Sequence, residues 1–219
     1  PILYGDKVKC GSIVNWYNVQ NNSSQYLFTS HALAMGEINK ISQIWLDDEP
    51  VLINPITVEG VVSSSNIDAK YRDILQLEIY FGKPNYTAAK TLAGTYGGTQ
   101  WNNSTFKGNG IVQVYTVIKK TQKSLEDNLL VNDNYVLTAE CSGKKIYDLT
   151  TSTTIVSNNP VNQLYDYITN TEYGLAVSPG NIDLPSFQTA AQYCTRYKMF
   201  SNGAIDYQST YKSNIEKML

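Results

Sequence analysis

The chain has 219 residues, 42% hydrophobic and 16% charged, with 17 tyrosines; that length suits one large domain or two small ones, and the composition excludes a disordered chain. Seventeen basic against 19 acidic residues give a net charge of −2, and arginine occurs only at Arg72 and Arg196. The absence of a Lys/Arg-rich block excludes a footprint for specific nucleic-acid binding, and the absence of any run of eighteen apolar residues excludes a transmembrane helix.

The opening run Ile2 to Gly5 and then Gly11 to Tyr17 predict two short strands, followed by a polar loop over Asn18 to Ser24. A longer strand is predicted from Tyr26 to Met35, broken at Gly36-Glu37. Ile41 to Leu46 and Pro50 to Ile53 flank Asp47-Asp48-Glu49, which predicts a hairpin with an acidic tip. Alternation over Ile74 to Phe81 predicts a strand with one apolar face. Residues Gly82 to Gly110, rich in Gly, Thr, Asn and Lys around Trp101, predict a long excursion with a helical turn near Ala88 to Leu92. Gly110 opens a strand carrying Ile111, Val112, Val114, Val117 and Ile118. Tyr135 to Glu140 and Lys145 to Asp148 are expected to pair across Ser142-Gly143.

The pattern changes after the polar stretch Thr150 to Asn159. Asn159-Pro160 starts a predicted helix with Val161, Leu164, Tyr165 and Ile168 at helical spacing, stopped at Tyr173-Gly174. Asp183 is placed as the N-cap of a second helix, near Pro185 to Tyr197, with Phe187, Ala190, Ala191, Cys194 and Tyr197 on one face. Tyr211 to Leu219 read as the first turns of another helix with Ile215, Met218 and Leu219 on one side. Gly36 and Gly174, each at the end of an apolar run, are expected to have positive φ. The fold class is therefore α+β, mainly antiparallel β as a sandwich or barrel, with a β-rich domain over 1–149 and a helix-containing segment over 150–219. Pro1 carries no initiator Met or signal features and the last helix is open-ended, so the chain reads as a fragment of a longer one.

These segments fall into ordered blocks. Pro1-Ile2-Leu3-Tyr4-Gly5 opens the chain; Ala32-Leu33-Ala34-Met35-Gly36-Glu37-Ile38 is followed by Ile41-Ser42-Gln43-Ile44-Trp45-Leu46-Asp47-Asp48-Glu49-Pro50-Val51. Asn159-Pro160, Leu164-Tyr165-Asp166-Tyr167-Ile168-Thr169-Asn170 and Tyr173-Gly174-Leu175 come next, then Ile182-Asp183-Leu184, Ser186-Phe187, Ala190-Ala191, Tyr193-Cys194 and Asn202-Gly203-Ala204-Ile205-Asp206. In order and spacing they resemble the tail-hub, or tip attachment, family of long-tailed lambda-like bacteriophages over nearly the whole chain. Met35, Glu172 and Ala176 depart from the pattern, where that family has an acidic residue, Arg and Gly.

The resemblance implies a structural virion protein of the phage tail tip: a homotrimeric ring that closes the tail tube and links it to distal host-recognition elements. Its implied partners are the distal-tail ring or tail-tube protein, the tape-measure protein, and tail fibre or tip proteins. Its implied location is the virion, after assembly in the bacterial cytoplasm. The abundant tyrosine fits surfaces hidden in subunit contacts.

No catalytic, cofactor-binding or metal-binding residue set is legible, and no enzyme activity or cofactor is expected. His31, the only histidine, lies mid-strand without a nucleophile-elbow motif and reads as a hydrogen-bonded strand residue. Asp47, Asp48 and Glu49 read as a solvated turn rather than a cation site or glycosidase pair. Cys10, Cys141 and Cys194, with no CxxC or Cys/His spacing, read as three reduced and mostly buried thiols. Asn85-Tyr86-Thr87 and Asn103-Ser104-Thr105 match glycan acceptor sequons by chance in an Asn-rich chain, and Gly97-Gly98 and Gly108-Asn109-Gly110 form no phosphate cradle. The competing reading is a carbohydrate-binding or glycosidase-like β domain in which Trp16, Trp45 and Trp101 share one cleft with the acids at 47 to 49. The charge balance yields a direct test: in a mobility-shift assay at roughly 20 mM salt the chain should not retain double-stranded DNA, whereas micromolar binding that weakens steeply with salt would reveal a segregated basic face.

Overall fold

A computed structural model describes the whole chain except Asn22, Ser23, Val131, Asn132, Tyr207, Gln208 and Leu219. In chain order the strands are β1 (Ile2–Tyr4), β2 (Val8–Gly11), β3 (Ile13–Asn21), β4 (Gln25–Met35), β5 (Ile41–Leu46), β6 (Glu49–Pro50), β7 (Gly60–Val61), β8 (Leu75–Phe81), β9 (Ile111–Lys120), β10 (Leu137–Cys141), β11 (Lys145–Asp148), β12 (Thr153–Val156) and β13 (Gly203–Ile205). The helices are α1 (Thr91–Tyr96), α2 (Gln122–Glu126), α3 (Pro160–Thr169), α4 (Leu184–Arg196) and α5 (Tyr211–Met218). The fold is α+β with antiparallel sheets, as the periodicities predict. Two compact units divide it: Lys9–Cys141, and Pro1–Val8 together with Ser142–Leu219. The sequence-based boundary at 149/150 lies instead in the turn between β11 and β12.

The Lys9–Cys141 unit is built on an antiparallel sheet in the order β3-β4-β9-β8-β7. Strand register sorts its side chains into two faces. One carries the rows Trp16–Ser30–Tyr115–Glu78 and Asn18–Phe28–Val117–Gln76; the other carries Tyr17–Thr29–Thr116–Leu77 and Val19–Leu27–Ile118–Leu75. The first face is covered by the 82–110 excursion, whose Tyr86, Leu92 and Ala93 pack with Phe28, Tyr80, Tyr115 and Val117 into an aromatic core.

Three expectations change here. Ile74 to Phe81 is not a strand with one apolar face, because both sides of β8 are covered and Glu78 and Tyr80 are buried along with Leu77 and Ile79. The polar loop expected at Asn18 to Ser24 is strand as far as Asn21, since Asn18 and Gln20 are spent on hydrogen bonds to the carbonyls of Tyr96 and Thr95; its residues 22 and 23 lie outside the described ones. The helical turn expected at Ala88 to Leu92 starts slightly later, as α1.

A second sheet has the order β2-β10-β5-β6. The β5–β6 hairpin turns on Asp47 and Asp48, with φ of 48° and 65°, the left-handed pair that a two-residue turn demands. Pairing of the Tyr135–Glu140 run with Lys145–Asp148 does not occur. Instead β10 pairs with β5, setting Leu137 opposite Leu46 and Ala139 opposite Ile44 so that all four are buried. Strand β11 finds β12, because Asp148 Oδ1 accepts from the backbone N–H groups of Thr150 and Thr151 and folds a tight turn there.

In the other unit β1 runs antiparallel to β13, with Leu3 opposite Ala204. Helix α3 begins as predicted: Asn159 Oδ1 accepts from Val161 N–H, Pro160 takes the first turn, and Asn159 Nδ2 donates to the Ala191 carbonyl and Thr195 Oγ1 of α4. Asp183 caps α4 through Ser186 N–H. The expected apolar face of α4 is only partly covered: Ala191 is buried, whereas Ala190 and Tyr197 are exposed. On α5, Ile215 is half-buried and Met218 buried, and Leu219 lies outside the described residues.

Gly36 has the expected positive φ, 90°. Gly174 does not, and its requirement is space: a Cβ there would strike the carbonyl oxygens of Tyr167 and Asn170, while the left-handed residue after α3 is Ala176, with φ 55°. Gly174→Ala should therefore cost about 2 kcal/mol or more in urea unfolding, because backbone atoms cannot yield as a side-chain tip would. Gly180→Ala, whose Cβ would meet only Ser178 Oγ at 3.9 Å, is the neutral control.

Candidate functional site

Strand β3 leaves one face of the main sheet uncovered. No described strand pairs with its outer edge, so alternate residues of this nine-residue strand turn their backbone donors and acceptors away from β4. The sequence Ile-Val-Asn-Trp-Tyr-Asn-Val-Gln-Asn contains none of the lysine or proline that blunts such edges. On the uncovered side Val14, Val19 and Tyr17, the last 70% exposed, flank a groove of about 370 Å³ floored by Leu27, Thr29, His31 and Tyr135. The surface thus sets an unpaired strand edge beside an apolar groove.

His31 sits in that floor, 1% exposed. Its Nδ1 lies 3.0 Å from Ser12 Oγ and its Nε2 3.0 Å from Tyr135 OH, which in turn bonds to Thr116 Oγ1. Both ring nitrogens are thus occupied and neither partner is a carboxylate. Burial pushes the imidazole down to about 4, so the ring is neutral at physiological pH. Tyr135 is pushed up to about 12, also by burial.

The covered face holds the buried charges. Glu78, fully buried, accepts from Tyr80 OH at 2.6 Å and from the N–H groups of Thr91 and Leu92 at 2.7 Å each, placing a carboxylate on the first turn of α1. The far end of α1 is met by β3: Trp16 Nε1 donates to the Gly97 carbonyl, and Asn18 and Gln20 to those of Tyr96 and Thr95. Lys90 Nζ lies 3.1 Å from the Tyr80 ring centre and 3.5 Å from that of Tyr86, with no hydrogen-bond partner. Burial pushes this amine down to about 8, against the opposing pull of Glu59 and Glu78. Nothing in the spacing of the sequence marks Glu78 or Lys90; the one signal is a carboxylate within an otherwise apolar run.

The three tryptophans part company. Trp16 and Trp101 meet edge to face at 6.0 Å, with Phe106 against both, and line a pocket of about 290 Å³ with Gln113 and Lys107. Both indole N–H groups are already donated, to the Gly97 carbonyl and to Asn103 Oδ1. Trp45 lies on β5 beneath Lys9 Nζ and lines no part of that pocket. The acids at 47 to 49 also lie apart from it: Asp47 Oδ1 holds the N–H of Val136, and Glu49 pairs with Lys70 at the surface. Among the described residues no group of three His, Cys, Asp or Glu side chains could hold a metal ion, and no helix is long and apolar enough to cross a membrane.

In the Pro1–Val8 and Ser142–Leu219 unit, blocks distant in sequence converge. Tyr4 OH donates to Asp166 Oδ2 at 2.5 Å; Tyr173 OH donates to the same oxygen, and Lys144 Nζ lies 3.6 Å from Oδ1 and donates to Tyr173 OH. Burial and the Asp166 charge push the Tyr4 and Tyr173 phenols up, so both remain protonated donors. Gly5, with φ of 97°, lies against Asn202, whose Oδ1 accepts from Asp6 N–H at 2.7 Å.

No family model matches the sequence, and no curated protein matches it. Among solved structures the chain is similar to one described as the virion of a native gene transfer agent particle, with 14% identity and a TM-score of 0.38. That match covers 81% of this chain and 34% of the other, so the chain spans about a third of its neighbour's length.

The histidine in the groove floor provides a measurable signature. A folded-state value near 4 against 6.5 for the free side chain means that the unfolded chain takes up a proton first as pH falls. Stability from neutral His31 is thus fully present above pH 6.5 and is lost on descent toward pH 4. The stability difference between the wild type and His31→Gln should shift by about 3 kcal/mol against the wild type between pH 7 and pH 4. Urea unfolding at matched pH values reads this, and a difference independent of pH would contradict it.

Proposed function

We propose that the chain is a structural section of the central hub of a long-tailed phage tail tip, acting in the virion by assembly rather than by catalysis. What carries this reading is the convergence of the blocks that resemble the tail-hub family. Strand β1 from the opening block pairs with β13 from the last, Tyr4 of the first block is fastened to Asp166 and its neighbour Tyr173, and Asn202 holds the chain at Gly5 and Asp6. The opening block and the blocks from Asn159 to Asp206 thus serve one packed unit, as expected of residues shared for architecture, while the blocks between Ala32 and Val51 belong to the other.

In this reading the uncovered β3 edge and groove meet a neighbouring copy in a homotrimeric ring, since closed rotational symmetry covers an edge that a monomer would expose. The ring closes the tail tube, contacts the distal-tail ring or tube protein and the tape-measure protein, and carries fibre or tip proteins outward. The competing carbohydrate or glycosidase reading needs all three tryptophans and the acids at 47 to 49 around one cleft. The pocket at Trp16 and Trp101 includes neither Trp45 nor those acids, so the assembly reading is better supported.

Tyr17→Lys combined with Val19→Lys in the intact protein tests the assembly. Both positions are exposed, so the variant should fold with a stability within about 0.5 kcal/mol of the wild type. Mass measurement in solution should show three copies for the wild type and one for the variant. A monomeric wild type, six equivalent copies in assembled tails, or a trimer indifferent to the two lysines would each count against this arrangement.

A further inference from the structure

The pocket of about 290 Å³ bounded by Trp16, Trp101 and Phe106 contains a polar group that the fold buries and only half uses. Gln113, on β9, lines it while being 4% exposed. Its Oε1 accepts from Tyr115 OH at 2.6 Å, and among the described residues its Nε2 has no hydrogen-bond partner. Turning the amide over would leave Oε1 open instead, so one end of the amide is unspent in either setting. A buried amide end without a partner costs free energy that a ligand can restore. Lys107, half-buried and lining the same pocket, makes no ion pair among the described residues. Both indole N–H groups are committed to protein acceptors, so the aromatic side chains offer carbon surface, and Phe106 is 41% exposed.

We propose that this pocket binds one pyranose ring bearing a carboxylate, an acidic sugar, with its C–H face on the aromatic rings, a hydroxyl on the Gln113 amide and the carboxylate on Lys107. Each part of that ligand answers one feature of the pocket. A hydrocarbon would leave both the amide and the ammonium unpaired, and a neutral sugar would leave the ammonium so. Aromatic carbon accepts the C–H edge of a sugar because the ring face carries partial negative charge. The volume lies at the small end for ligand pockets and suits a single ring. This site needs neither Trp45 nor the acids at 47 to 49, and no bond of the sugar is made or broken in it. Trp16 points from β3 to the sheet face opposite Tyr17 and Thr29, so sugar binding and the subunit contact proposed for the outward face can be tested separately.

Titration of the chain with methyl β-D-glucuronide, followed through the indole N–H signals of its three tryptophans by NMR, should move those of Trp16 and Trp101 with a Kd on the order of 1 mM and leave that of Trp45 unmoved. Methyl β-D-glucoside, which has no carboxylate, should bind about tenfold more weakly. Lys107→Gln should bring the glucuronide to the level of the glucoside without changing the latter, and Phe106→Ala should weaken both by about tenfold. Should Phe106→Ala fail to fold, Lys107→Gln at its half-buried position still decides the matter. Free glucuronate, titrated in parallel, shows whether the anomeric oxygen is left open: preference for the methyl glycoside indicates the end of a glycan and preference for the free acid a monosaccharide, and both support the site. No shift at roughly 20 mM glucuronide, equal binding of the glucoside, indifference to Lys107→Gln, or shifts confined to Trp45 would each overturn the proposal.

Discussion

The buried carboxylate of Glu78 governs which face of the central sheet is closed. A six-residue helix has little stability of its own, because nucleation is costly and its end groups outnumber its internal hydrogen bonds. Helix α1 persists because Glu78 receives two of its first N–H groups, while Trp16, Asn18 and Gln20 donate to carbonyls at its other end. Held at both ends by side chains of one sheet face, it presses Leu92 and Ala93 into the aromatic core and carries the whole 82–110 excursion with it. The ammonium of Lys90 between two tyrosine rings is part of the same arrangement.

With one excursion committed to one face, the opposite face ends at β3 without a lid. The division of labour along this strand follows from the two-residue period. Trp16, Asn18 and Gln20 serve the interior and Val14, Tyr17 and Val19 look outward, with the register shift between Val14 and Trp16 keeping both sets aligned. An apolar outward set on this edge lacks the lysine and proline that commonly blunt exposed strands. The His31 floor adds rigidity, since its two nitrogens tie Ser12 and Tyr135 to the strand at no cost in charge above its titration range.

The second unit solves a different problem, namely how to hold the first eight residues against segments more than 130 positions away. It does so with polar fasteners. Asp166 accepts from two phenols, and Asn159, Asn162 and Gln163 each bridge elements through both ends of an amide or through shared carbonyls. Buried amides of this kind are satisfied only in one arrangement, so they specify the packing as much as they stabilise it.

What the amino-acid sequence determined by itself was local. Alternation and turn chemistry placed β4, β5, β9 and the Asp47-Asp48 turn, and Asn159-Pro160 and Asp183 marked the starts of α3 and α4, because caps, turns and periodicity are settled within a few residues. Only the tertiary structure decided the pairing of β10 with β5 and of β11 with β12, since which strand meets which is a matter of long-range burial and not of neighbouring residues. Gly174 shows the same limit at one position. Its place after an apolar run marked a stop, but the reason for glycine is the approach of two carbonyls, visible only once α3 has turned back on itself. The surroundings of Glu78 and Lys90 and the Tyr4–Asp166–Tyr173 cluster were likewise illegible, because each is made of groups whose separation along the chain carries no signal of their proximity in space.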